Sequence, residues 1–380
     1  MKKAVIIPDS FKGTLSSLEI CNILSENIKK HFPQCLTISI PVADGGEGTV
    51  DSFLAALGGD KIYETVSSPY FEDMKSFYGV IGELAVIEMS ACAGLPLVED
   101  RKNPSLTTTY GVGQLILAAA ERGCKKIIVG LGGSATNDGG CGAAAAAGIK
   151  FYDREGNEFI PVGKTLKDIE KIDFSQRKEI LDHVEIITMC DIDNPMYGPA
   201  GASYIFAPQK GADEQMVEEL DRGLKHLCEV IKKETGKDLK DVPGTGAAGA
   251  MGAGMIAFFD STLQMGIEIV LDTVNFNEII EDADMIFTGE GKIDSQSLRG
   301  KVVVGVAGRA KRKNIPVTVI AGGATGDIEE VYNRGVTSIF TINRLPEDFQ
   351  ISKYKSKENL EATIDNILRL IKACDITYNH

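Results

Sequence analysis

A set of carboxylates and one lysine stand where short apolar runs give way to glycine and turn residues: Lys12, Asp44, Glu47, Asp191, Asp193, Glu290 and Asp294. A carboxylate at a strand end can accept a proton, hold a divalent cation or cap the next helix. Glu47 and Asp193 read best as caps or solvated turn residues. Asp191 follows the apolar run 185–190 and precedes Asn194-Pro195, and Asp294 follows Gly289-Glu290-Gly291. Those two are the better candidates for a base or a metal ligand. Magnesium takes one or two carboxylates and fills its octahedron with water and phosphate oxygens, so this set suits a magnesium nucleotide. Lys12, in "PDSFKG", is the clearest cation at a strand end and could neutralise a carboxylate or a phosphoryl group. The histidines fall on helices, connectors or the terminus and carry no catalytic expectation.

Between these groups lies "GLGGSATNDGG", residues 130–140, directly after Ile127-Ile128-Val129. So much glycine and hydroxyl suggests that backbone must approach something closely. Free N–H groups at a helix N-terminus favour phosphate. Gly132, Gly133, Ser134, Thr136 and Asp138 are therefore the expected phosphate cradle, with Asp138 or Asn137 capping the Ala-rich helix that follows. The loop is not a P-loop, because G-x-x-x-x-G-K-[ST] occurs nowhere in the chain. Gly244-x-Gly246-x-x-Gly249 has dinucleotide spacing but follows "KDVP" and no clear strand, so close helix packing explains it about as well.

The elements that must position these loops have a parallel-sheet rhythm. Ala4–Ile7 is a β-branched strand; Ser16 and Glu19 form a capping box before a helix carrying Ile20, Ile23, Leu24 and Ile28. Residues 36–42 form the next strand, followed by "ADGGEGT" and a helix to Leu57. The C-terminal third repeats this pattern from 285, 317 and 338. The middle differs, with short alternating strands over 66–88, a hairpin at "KFYDREGNEF" and a long helix after Asp213 ending at Gly236. We expect an α/β fold of two α/β domains, the second inserted into the first, with a cleft between them. The expected boundaries are 1–66 with 284–380 for the first, a parallel-sheet domain, and 67–283 for the second. In α/β sheets ligands bind beyond the carboxyl ends of the strands, and the loops named above all leave such ends.

Composition narrows the partners. The 380 residues carry a net charge of −14, which repels phosphate backbones, so no nucleic acid is expected. The 8 cysteines show neither C-x-x-C pairs nor zinc spacing and read as reduced core residues of a cytoplasmic protein. The apolar run in "MKKAVIIPDSF" is too short for a signal peptide or a span, and no membrane association is expected.

"PDSFKGTLSS", "PVADGGEGT", "TTTYGVGQLI", "GLGGSATNDGG" and "TGEGKIDSQSLRGK", in this order, resemble the motifs of the type 1 glycerate kinase family. The resemblance runs from residue 4 to about 345. It implies an ATP- and Mg²⁺-dependent kinase of D-glycerate, leaning toward 2-phosphoglycerate as product. Asp9, Ser10, Lys12, Asp44 to Gly46, Gly132 to Asp138, Asp191, Asn194, Glu290 and Asp294 all stand intact within those motifs.

The roles are physical expectations. Glycerate meets Asp9, Ser10, Lys12 and Asp44, with Lys12 facing its carboxylate and Arg299 or Lys301 next in line. Asp191 takes the hydroxyl proton, and Asp294 with Glu290 holds the metal; Asp44 is the next base to test. A kinase of another small hydroxy acid and a non-catalytic two-lobed binding protein are the alternatives. A dinucleotide-dependent dehydrogenase fits less well without a strand-linked G-x-G-x-x-G near the start.

Overall fold

The computed structural model describes residues 1–294, 297–298, 301–326, 328–345 and 347–378, the side chains of 375–378 excepted. Two units separate by their internal contacts. The first comprises Met1–Ala43, Ala55–Leu57 and Met265–His380; the second comprises Asp44–Leu54 and Gly58–Gln264.

The first unit holds a five-stranded, all-parallel sheet in the order Ser338–Thr341, Val317–Ala324, Met285–Ile293, Lys3–Pro8, Leu36–Ser39. Parallel neighbours need crossovers, and helices supply them. The capping box forms as expected: Glu19 N donates to Ser16 Oγ at 3.2 Å and Ser16 N to Glu19 Oε2 at 2.8 Å. The helix Ser17–His31 buries Ile20, Leu24 and Ile28 in one core with Leu360, Ile364 and Leu368 of the last helix. The strand from Met285 runs further than its apolar start suggests. Glu290 pairs with Ala321 and Ile293 with Ala324, so Glu290 lies inside a strand and not in the loop expected for it.

The second unit holds a six-stranded sheet in the order Thr262–Gln264, Glu185–Met189, Lys126–Gly130, Leu84–Glu88, Asp73–Ile81, Asp60–Ser67. The first four run parallel and the last two join antiparallel. Ile127, Ile128 and Val129 are wholly buried, as a strand covered on both faces requires. The expected hairpin forms, with Lys150–Tyr152 antiparallel to Glu158–Phe159. The helix Glu214–Thr235 is capped by Asp213, which accepts from Met216 N at 2.8 Å, and ends at Gly236.

The units divide at different residues from those read in the sequence. Asp60–Ser67 pairs along its length with Asp73–Ile81, which ties it to the second sheet. Residues 44–54 group with the second unit because Gly45 and Gly46 interlock with Gly130 and Gly132. Residues 265–283 group with the first, where Arg309 of the helix Val302–Lys311 pairs with Glu268 and, at 2.7 Å, with Asp272. All the cysteines are unpaired, and every one but Cys374 is buried. Among the described residues no helix is long and apolar enough to cross a membrane.

Candidate active site

In the second unit the ladder sets Glu88, Gly130 and Met189 abreast at the carboxyl edge of the sheet. The glycine loop leaves from this edge, and most of its glycines serve the protein's own packing. A Cβ on Gly130 would stand 2.3 Å from Gly45 O, one on Gly132 2.5 Å from Gly46 Cα, and one on Gly142 2.2 Å from Thr108 Oγ1. Gly132 N donates to Gly45 O at 2.9 Å and is spent there. Gly133 is different. It is exposed, takes φ +74°, and its Cβ would reach only Ser90 Cβ at 3.4 Å. The N–H groups of Gly133 and Ser134 have no acceptor among the described residues.

Asp138 points inward. Its Oδ2 accepts from Thr109 N and Thr109 Oγ1, both at 2.8 Å, and from Gly142 N at 3.2 Å; its Oδ1 accepts from Gly140 N at 3.2 Å. These donors stabilise the carboxylate, but full burial outweighs them and pushes its pKa up. Asp138 thus accepts from the first turn of the helix Cys141–Ala146, whose N-cap position is Gly140, and both of its buried oxygens are engaged within the protein. That helix is short and its first N–H groups are taken by Asp138 and Thr109, so the expected helix-end phosphate site does not form there. Thr136 and Asn137 are also wholly buried, with Thr136 Oγ1 and Asn137 Oδ1 unpartnered.

Lys210 is the residue that sequence reasoning missed. It lies under the loop, 2% exposed, and its Nζ donates to Ser134 Oγ and to Thr136 O, each at 2.7 Å. Burial pulls its pKa down to about 7, against the opposing pull of Asp138. Glu88 was missed as well. Buried at its strand end, its Oε2 accepts from Val50 N at 3.0 Å, and it anchors the first turn of Thr49–Leu57, whose own N-cap, Gly48, has no side chain to give. Burial raises its pKa. The only local signal for Glu88 was a polar residue at the end of an apolar run, and Lys210 had none. The threonines of "TTTYG" tie the glycine loop in place: Thr107 Oγ1 donates to Ala135 O at 2.9 Å and Thr109 grips Asp138.

Asp44 is exposed in this same unit, with Oδ1 3.3 Å from where a Cβ on Gly46 would sit. Asp191 is exposed just past Met189, the neighbour of Gly130 in the ladder. Asn194 donates through Nδ2 to Ala200 O at 2.8 Å and accepts from Gly246 N at 3.0 Å, which fixes the exit of that loop. Gly246 and Gly249 are packing glycines: their Cβ atoms would meet Pro195 O at 2.2 Å and Thr136 O at 2.0 Å.

The first unit gathers the other expected residues at its own carboxyl edge. Pro8 pairs with Gly289, and Asp9 N donates to Gly289 O at 2.8 Å. Asp9 Oδ1 accepts from Ser10 N at 2.7 Å. Gly291 lies against the backbone of Phe11 and Lys12, and Lys12 is exposed. Glu290 is buried and accepts from Ser297 Oγ; burial raises its pKa, while Ser297, Lys301 and Lys12 hold it down and Asp294 pushes it up. Asp294 N in turn donates to Ser297 Oγ at 3.2 Å, and its carboxylate pairs with Lys292 Nζ at 3.1 Å. Lys12, Glu290, Asp294 and Lys301 therefore share one electrostatic neighbourhood, with Asp9 and Ser10 at the adjoining strand end. Arg299 lies outside the described residues.

Among the described residues no three of His, Cys, Asp and Glu cluster as a ready metal cage. A two-carboxylate magnesium site completed by phosphate and water does not need one. Asp294, a quarter exposed, suits that role better than Glu290, which is buried and engaged by Ser297.

The family model for the glycerate kinase family matches residues 4–372. The chain is 46% identical to the glycerate 2-kinase of Escherichia coli K12, over 90% of each chain. It is 45% identical to a glycerate kinase of Bacillus cereus, over 97% of this chain and 98% of the relative. A crystal structure from Salmonella typhimurium LT2, of a protein assigned by name as glycerate kinase 2, superposes with a TM-score of 0.87 at 38% identity, covering 98% of this chain and 99% of that one.

Proposed function

The chain belongs to the glycerate kinase family and is a phosphotransferase with an alcohol acceptor; we propose that it moves the γ-phosphoryl group of ATP to the 2-hydroxyl of D-glycerate, with Mg²⁺. The relative named glycerate 2-kinase supports the choice of hydroxyl.

The observation that carries the reading on the nucleotide side is the pair of acceptor-free N–H groups at Gly133 and Ser134 beyond a parallel strand. They suit phosphate oxygens. The cradle is narrower than its motif: Gly133, Ser134 and their backbone hold phosphate, while Gly132, Thr136 and Asp138 hold the loop. Phosphoryl transfer depends on positioning and charge more than on covalent help. Lys12 and Ser10 bind the carboxylate of glycerate, with Asp9 orienting Ser10 through its N–H. Asp294 binds Mg²⁺, which when present neutralises phosphate charge. Glu290, aligned by Ser297, orders the strand end that presents Asp294. Asp191 accepts the hydroxyl proton, and Asp44 is the second choice. A cytoplasmic location fits substrates of this kind.

Incubation with ATP, Mg²⁺ and D-glycerate, followed by phosphorus NMR of the product, tests the reading. A phosphorus resonance coupled to the C2 proton is expected; coupling to the C3 protons would move the reaction to the other hydroxyl, and no product with glycerate but turnover with another hydroxy acid would replace the substrate.

A further inference from the structure

We infer that Lys210 is a positioning residue that acts through Ser134, aiming the serine's hydroxyl proton at an anionic oxygen held by the Gly133–Ser134 turn. The inference rests on the proposal that this turn holds a phosphate of ATP.

Burying an ammonium without a carboxylate in contact is costly. Lys210 has two neutral oxygens as partners, Ser134 Oγ and Thr136 O. Asp138 acts on it through charge alone and is committed to Thr109, Gly140 and Gly142. Such an arrangement is a poor device for stability, since a well-packed apolar residue would serve as well or better. Its effect on the loop is specific. An ammonium only donates, so Ser134 Oγ is the acceptor and its own proton is left to give. Ser134 makes no other side-chain hydrogen bond among the described residues. The second bond, to Thr136 O, fixes the backbone on the other side of Ala135 and so the orientation of the turn. Positive charge beneath the loop also favours an anion above it.

The chemistry reverses when Lys210 loses its proton. A neutral amine can accept from Ser134, turning that hydroxyl inward. Asp138 is the other titratable group acting on Lys210, and it is fully buried. Affinity for the anion should then weaken as the pH rises through about 7.

The test is the KM for ATP of wild type, Ser134→Ala, Lys210→Met and the double variant, measured from about pH 6 to about pH 9 to bracket that titration. Ionisation of the nucleotide is common to all four and cancels in the comparison. Each single variant is expected to raise KM for ATP about 10-fold at the acid end, as loss of a hydrogen bond to a charged group would. Each should also flatten the rise with pH, and the double should be no worse than the worse single. Lys210→Met should lose the pH dependence of KM whatever its melting temperature, a result that a merely structural lysine would not give. Additive effects, or an unchanged KM in Lys210→Met beside a raised one in Ser134→Ala, overturn the inference and leave the phosphate turn standing. An unchanged KM in Ser134→Ala also overturns the inference, and because that variant keeps both N–H groups it too leaves the phosphate turn standing. Should Lys210→Met fail to fold, Ser134→Ala decides alone: a flat profile supports the coupling, and a wild-type pH dependence refutes it.

Discussion

Asp138 and Thr109 are joined twice, the carboxylate Oδ2 accepting from both the backbone N and the Oγ1 of Thr109 at 2.8 Å. The pair locks the glycine loop to the start of the helix Tyr110–Glu121, and Gly140 and Gly142 complete the set of donors. Asp138→Asn keeps one acceptor oxygen and turns an NH₂ toward a backbone N–H, so at least one donor, Gly140 N when the oxygen stays on Thr109 and Gly142, loses its acceptor. Each buried donor left unmatched costs about 1–3 kcal/mol. We expect a clear drop in melting temperature with activity lost in proportion to unfolded protein. A stable Asp138→Asn variant with raised KM for ATP would return Asp138 to the ligand-binding set.

Glu88 anchors Thr49–Leu57 from a neighbouring strand. Glu88→Gln keeps an acceptor and removes a buried charge, so stability should change little. Glu88→Ala leaves Val50 N unmatched, at a cost of about 1–3 kcal/mol. Denaturant titration of the two variants separates these outcomes. Because burial raises the pKa of Glu88, its charge penalises the fold above that raised pKa and the penalty is relieved as the pH falls through it. The Glu88→Gln variant should therefore lose this acid-side gain.

The two neighbouring glycines of the loop should differ sharply. Gly132→Ala sets a Cβ 2.5 Å from Gly46 Cα and 2.6 Å from Gly46 N, and backbone cannot step aside cheaply. Gly133→Ala meets no such atom and bears only the left-handed backbone, about 1–2 kcal/mol. Thermal melts should rank Gly132→Ala well below Gly133→Ala. The reverse order would mean that the Gly45–Gly132 contact is not formed in solution.

Three side-chain variants divide the proposed catalytic roles. Lys12→Met should raise KM for glycerate more than KM for ATP; an unchanged glycerate KM shifts the role to Lys301. Asp191→Asn should lower kcat by about 10²–10⁴-fold with ATP binding retained, the usual scale of general base catalysis. Asp294→Asn should raise the Mg²⁺ concentration needed for half-maximal rate. A reversed pattern in the two aspartates exchanges their roles, and losses of only a few-fold in both make Asp44 the next base to examine.

Stability should carry the mark of Lys210. Its pKa falls from the ordinary 10.5 to about 7 in the fold, so the unfolded chain binds the extra proton between these values. Stability from this group rises with pH across that window and is flat below it. Urea titrations at the two ends, compared with Lys210→Met, should show the slope in wild type alone.

By itself, the sequence determined those features whose cause is local. The capping box at Ser16, the apolar parallel strands, the hairpin at 150–159 and the helix bounded by Asp213 and Gly236 follow from spacing within a few residues. The motifs at the strand ends were equally legible, because residue type and order are enough to recognise them. What the tertiary structure decided is which way each residue faces and what it meets. The glycines at 130 and 132 look like an approach to a ligand, yet their reason is the backbone of Gly45 and Gly46. Asp138 looks like chemistry and is an anchor, and Glu88, an anchor too, drew no notice. Lys210 shows no signal, because its partners lie 76 and 74 residues away in the chain. Burial and cross-loop contact depend on how distant strands pair, and no window of sequence contains that pairing.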